Sequence, residues 1–173
     1  ASGMAYLDLV TLVVRDYDPA IAFFVDVLHF DLVEDVPSLT NDGRPKRWVV
    51  VRPPGGVTGL LLARADGEAQ SAAVGSQFAG RVGLFLRVDD FDEAYARMQG
   101  AGVTFVSPPR REAYGMVAVF RDCEGNAWDL LGRKVRQDDG AGFRALVARM
   151  RLAARDAGQL EPLATLGDQF GQA

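Results

Sequence analysis

The chain has 173 residues, 49% of them apolar and 24% charged, with a formal net charge of −4. That composition fits a soluble, single-domain globular protein with a real core, and its acidic balance argues against nucleic acid as a partner. No apolar run approaches the roughly 18 residues a membrane span needs, so no membrane partner is expected. Ala1 to Gly3 read as a remnant ahead of a native Met4, and the start lacks the basic region and apolar stretch of a signal peptide. The single cysteine, Cys123, excludes an internal disulfide and fits a cytoplasmic location.

Leu7 to Val14 is rich in β-branched and apolar residues and predicts a strand. Asp18-Pro19 reads as a helix N-cap with proline at the first helical position, and Ile21, Phe24, Val25 and Leu28 follow at helical spacing. Strands are predicted near Phe30 to Val36, Arg47 to Arg52 and Val57 to Ala63. Residues 65–79 are small and polar, a linker. A strand at Val82 to Val88 and a helix at Asp92 to Gln99, closed by Gly100 and Gly102, open a second series. Its strands fall near Val103 to Val106, Met116 to Phe120 and Ala127 to Leu131. Beyond Gly132, GFRALVARMRLAARDA gives one amphipathic helix with Phe143, Leu146, Val147, Met150 and Ala154 on one face. Arg144, Arg149, Arg151 and Arg155 lie on its other faces. That leaves two readings, a solvated basic face and a contact with a partner or a second subunit. The end, 159–173, reads as a poorly ordered tail.

The two series are copies. LVVRDYDPAIAFF (12–24) aligns with LRVDDFDEAYARM (86–98) at an offset of 74, matching Asp16 to Asp90 and Ala20 to Ala94. VVRPPGGVTGLLLAR (50–64) aligns with VFRDCEGNAWDLLGR (119–133) at an offset of 69, matching Gly56 to Gly125 and Arg64 to Arg133. Two blocks in the same order mark an internal duplication. The fold class is therefore α+β: two tandem βαβββ units in a mixed sheet with helices outside, plus a C-terminal helix. The boundaries are 5–133 for the domain (5–64 first unit, 65–79 linker, 80–133 second unit) and 134–173 for the extension.

A duplicated βαβββ unit carrying VTLVVRDYDPAIAFFVDVL, FLRVDDFDEAYARM with GAGVTFV, and VFRDCEGNAWDLL resembles the vicinal oxygen chelate superfamily. That superfamily includes glyoxalase I, extradiol dioxygenases and the fosfomycin- and bleomycin-resistance proteins. Its members often read D-P-x-G-N at the last turn, where this chain has Cys123 in place of the proline. The resemblance implies a cup-shaped sheet, a homodimer, and a ligand held inside the cup. It also implies four metal-ligand positions, one on the first and one on the last strand of each unit. Counting back from Asp16 and applying the repeat offsets puts Leu9, Leu60, Gly83 and Asp129 there. Leucine and glycine offer no lone pair, zinc needs three or four donors, and a non-haem iron triad needs two histidines. The one histidine, His29, falls at a helix-to-strand corner away from all four. The expectation is a metal-free member with no cofactor.

Side chains alternate across a strand. The cup face should therefore carry Leu7, Leu9, Thr11 and Val13; Arg81, Gly83, Phe85 and Arg87; Thr58, Leu60 and Leu62; and Ala127, Asp129 and Leu131. Trp48 and Val50 join them if Asp129 pairs with Val119. Apolar walls with a few placed polar groups suit a small-molecule pocket, and the same lining also suits a collapsed core filled by Trp48 and Phe85. The candidate ligand-binding residues are Asp129, Trp48, Phe85, Thr11 and Arg87, and Asp129 is the only catalytic candidate. Three functions are compatible with this: a binding protein that sequesters a hydrophobic or aromatic compound, a metal-independent isomerase or cyclase using Asp129 as acid or base, and an interaction module built on the C-terminal helix. Glyoxalase or dioxygenase activity follows from the family name alone. No nucleophile motif is present, Cys123 reads as an inert thiol, and His29 as a surface or boundary residue.

Overall fold

The structure, a computed structural model, describes residues 3–134 and 141–156. The chain divides into two compact units, 1–133 and 134–173. In the first unit β1 (Leu9–Val14) leads into α1 (Tyr17–Ala22), followed by β2 (Asp31–Leu39), β3 (Pro45–Arg52) and β4 (Gly59–Arg64). A short helix α2 (Glu68–Ala73) lies in the linker, 65–79. The copy follows as β5 (Val82–Arg87), α3 (Phe91–Gly100), β6 (Arg110–Glu112), β7 (Gly115–Arg121) and β8 (Ala127–Leu131). The sheets have matching orders, β1-β4-β3-β2 and β5-β8-β7-β6, with β1–β4 and β5–β8 parallel and the remaining pairs antiparallel. The fold is α+β with two tandem units, as the repeats require.

Both main helices start on the repeated aspartate. Asp16 accepts from the Tyr17 N–H at 2.8 Å and Asp90 from the Glu93 N–H at 3.0 Å, which satisfies otherwise orphaned first-turn donors. The N-cap is therefore Asp16 and not Asp18, whose carboxylate turns outward onto the Arg47 guanidinium at 2.7 Å. α1 widens into a π-helical turn over Phe23–Val27 and ends at His29, an exposed residue with a left-handed φ of 59°. The strand expected at Val103 to Val106 is not formed. Val103 caps α3 through a bond to the Met98 carbonyl, Phe105 makes a single bridge to Phe120, and the edge strand comes after Pro108-Pro109.

The core lies on the helix-covered faces of the two sheets. Leu12, Val14, Leu60, Leu62, Leu86 and Leu130 alternate onto it, and α1 and α3 contribute Ala20, Phe24, Phe91, Ala94 and Met98. An aromatic cluster joins the two halves: Phe24 and Phe30 pack on Trp128 at centroid distances of 5.8 and 6.3 Å, and Phe120 stacks on it at 5.6 Å. Each such ring removes about 200 Å² from water, on the order of 5 kcal/mol before entropy is charged. That burial fixes the relation between the two βαβββ halves of residues 1–133, and hence the face that carries the candidate site.

In the extension, α4 (Ala141–Asp156) covers the helix expected there. Residues 135–140 and the expected tail, 159–173, lie outside the described residues.

Candidate functional site

The face of each sheet opposite the helices is the inside of the expected cup. Strand register settles which residues share it. β5 and β8 pair Phe85 with Asp129, and β7 and β8 pair Val119 with Asp129, so these three stand side by side. β1 and β4 pair Thr11 with Leu61, and β3 and β4 pair Val50 with Leu61. The position matching Asp129 in the first unit is therefore Leu61. Leu60 and Leu62 turn into the core beside Val10 and Leu12 instead. The shift has a local cause. Six residues, 53–58, join β3 to β4, whereas five, 122–126, join β7 to β8, and one extra residue reverses the facing of everything after it.

The four positions implied for metal ligands thus hold Leu9, Leu61, Gly83 and Asp129. One carboxylate does not make a metal site, and these residues do not fit a divalent ion. Among the described residues no group of three or more His, Cys, Asp or Glu is placed to hold one. The space over Gly83 is also taken. A Cβ there would lie 2.1 Å from the Phe78 ring, so this linker phenylalanine rests directly on the strand backbone, where a β-bulge interrupts the β5–β8 register. Its neighbour Gln77 closes the open edge of β1: Nε2 donates to the Thr11 carbonyl at 2.7 Å and Oε1 accepts from the Val13 N–H at 2.9 Å. The linker's small, polar composition concealed both roles.

Asp129 is half-buried and makes no side-chain hydrogen bond among the described residues. Burial pushes its carboxyl above the ordinary carboxylate range, with Arg110 pulling weakly the other way. Phe85 beside it is 63% exposed. Arg87, two residues along the same strand, donates to the Gly132 carbonyl at 2.6 Å, and Arg110 donates to Glu112 at 2.7 Å. Asp129, Phe85 and Arg87 are thus gathered on the second sheet, while Thr11 and Trp48 are on the first.

Trp48 lines a cavity of about 420 Å³ at the end of the first sheet, together with Tyr17, Lys46, Leu61, Ala63 and Arg64. None of Thr11, Phe85, Arg87 and Asp129 borders it, so the five candidates do not form one pocket within one chain.

The carboxylate that organises the motif is Asp122, not Asp129. Asp122 is 6% exposed. Its Oδ1 accepts from the backbone N–H groups of Glu124, Gly125 and Asn126, each at 3.0 Å. Its Oδ2 accepts from Asn126 Nδ2 at 3.1 Å and from the Trp128 indole at 3.0 Å. It holds the turn that launches β8, and so it sets the facing of Asp129.

With this geometry, comparison with known proteins defines the class. Residues 6–130 match the family described as the Glyoxalase/Bleomycin resistance protein/Dioxygenase superfamily, and the chain belongs to it. An uncharacterized protein of Shewanella frigidimarina (strain NCIMB 400) is 55% identical over 124 residues, covering 70% of this chain and 89% of that one. Among solved structures, TnmS3, described as an antibiotic binding protein from Streptomyces sp. CB03234, is 31% identical with a TM-score of 0.63, covering 78% of this chain and 100% of that one. UcmS2 is likewise 31% identical with a TM-score of 0.63, over 75% of this chain and 98% of that one.

Proposed function

We propose that this protein binds a hydrophobic or aromatic small molecule without a metal and acts by sequestering it. The observation that carries the reading is the replacement of a metal-ligand set by Leu9, Leu61 and Gly83, with Phe85 exposed and Trp48 half-buried on the same face. Apolar walls with a few polar groups hold planar compounds through area and stacking. Similarity to a protein described as antibiotic-binding supports the same class of ligand. On this reading, 5–133 is the binding domain and 134–173 an appended extension, and the protein works in the cytoplasm as a homodimer in which a second copy covers part of the Phe85 face. Calorimetric titration with a panel of planar aromatic compounds, cationic ones included, tests it. Saturable binding weakened at least tenfold by Trp48→Ala or Phe85→Ala is the expected result. Silence across the panel removes the reading.

A second reading has one observation in its favour. The raised carboxyl of Asp129 suits an acid or base in a metal-independent isomerisation or ring closure. Turnover that survives unchanged in Asp129→Asn would eliminate it.

A further inference from the structure

One difference between the two copies opens a space in the first sheet. In the second sheet β7 and β8 pair without interruption from Arg121↔Ala127 to Val117↔Leu131. In the first, β3 and β4 pair only at Val51↔Leu60, Val50↔Leu61 and Val49↔Leu62. The next pair, Trp48 with Ala63, is the counterpart of Val117 with Leu131, and it is not formed. Yet β3 stays zipped to β2 as far as Pro45, and β4 stays zipped to β1 as far as Arg64. The sheet therefore splits down its middle, and the cavity occupies the split.

The split is a built feature. The Arg47 N–H, without a β4 partner, donates to the Tyr17 hydroxyl at 3.2 Å. Across the mouth Arg44 grips Asp66 with two bonds, 3.0 and 2.6 Å, and Asp42 with a third at 2.9 Å. One guanidinium thus holds both carboxylates of the lining, and one negative charge is left over at the mouth. Arg47 is likewise committed, to Asp35 and Asp18. Two cations of the lining have no ion pair or side-chain hydrogen bond among the described residues: Lys46, which alternation places on the same face as Trp48, and Arg64, which follows Leu62 onto the opposite, helix-covered face and borders the cavity from the other side of the split. The Arg64 guanidinium is seated over the Tyr17 ring, 5.2 Å from its centroid, with Asp66 acting on it only through longer-range attraction. A stacked guanidinium keeps its in-plane N–H donors available for an anion.

We propose that this split is a subsite for an aromatic compound carrying an anionic group, its ring against Trp48 and its anion between Lys46 and Arg64. The proposal rests on the ligand-binding reading above and narrows it to a charge sign and a place. Three probes of one shape test it: 2-naphthoate, 2-naphthamide and 2-naphthylmethylamine, titrated into the full chain by calorimetry and tryptophan fluorescence. Binding of the naphthoate about tenfold tighter than the amide, and tighter than the amine, is expected. Lys46→Gln and Arg64→Gln should each reduce that preference to near parity and flatten its salt dependence, while Lys46→Arg retains it. Equal or tighter binding of the amide or the amine overturns the charge assignment and leaves the ligand-binding reading standing. A naphthoate preference that survives in both Gln variants overturns the place. Failure of all three probes overturns the proposal. If the wider aromatic panel is also silent, the underlying reading falls with it.

Discussion

Replacing Asp122 by alanine should be among the most damaging single changes in this chain, although Asp122 touches neither the cavity nor Asp129. Its two oxygens serve five donors. Water can reach the turn at Glu124, and the Gly125 N–H also has the Asp122 carbonyl at 3.0 Å, so those two donors lose little. The Asn126 backbone and side-chain N–H groups and the Trp128 indole are buried and have nothing else to bond. At about 1–3 kcal/mol for each stranded donor, allowing for some relaxation, the loss is about 3–5 kcal/mol. For a domain of this size that lowers the melting temperature by about 10–15 °C. Asp122→Asn is the sharper probe. Whichever way its amide turns, an NH₂ faces either the backbone donors or the Trp128 indole, so about 2 kcal/mol is lost with no change of shape. Urea denaturation followed by near-ultraviolet circular dichroism measures both variants. A cost under about 1 kcal/mol for alanine, or an asparagine variant as stable as the parent, would refute this account of the turn.

Three further outcomes are expected. Gly83→Ala should cost about 1–3 kcal/mol by overpacking against Phe78, and Phe78→Leu in the same chain should recover part of it; additive losses in the denaturation midpoint would count against the contact. Asp129 has a folded-state pKa raised above the ordinary 3.8, so its contribution to stability is full below that value and is lost as pH rises through the raised one. Asp129→Asn should therefore gain on the parent between about pH 3.5 and pH 7 in urea midpoints, and the opposite trend would show that the carboxylate is favoured. Cys123 is exposed as a residue, yet desolvation of its sulfur in the turn, helped by Asp122 and Glu124, pushes the thiol up. Iodoacetamide should then label it at about pH 8 at least about tenfold more slowly than free cysteine, and comparable rates would contradict that environment.

The fold was legible because the signals that encode it are local and occur twice. Asp16 and Asp90 each cap a helix after an alternating strand, so the repeat offset carries cap, helix and core face together. The site was less legible because its geometry depends on pairing. One extra residue between β3 and β4 moved the Asp129 counterpart from Leu60 to Leu61 without any mark in composition. The parting of β3 from β4 at Trp48 is a relation between strands that neither strand's own pattern shows. Val103 to Val106 read as a strand because an apolar segment packed under a helix has the same composition. Gln77 and Phe78 lay in a polar stretch whose character hid one edge-capping amide and one ring packed on a glycine. Asp122 was visible only as a turn residue, since a side chain that serves five donors looks in sequence like any aspartate at a turn.

Whether this face binds its ligand without a metal is decided by one titration. The parent protein, with Trp48→Phe beside it to assign the signal, is titrated with the planar aromatic panel in EDTA and again with added Zn²⁺, Mn²⁺ or Fe²⁺. Saturable quenching of Trp48, missing from Trp48→Phe and with the same midpoint in both conditions, is the expected result. Quenching that appears only once a divalent metal is added would contradict it.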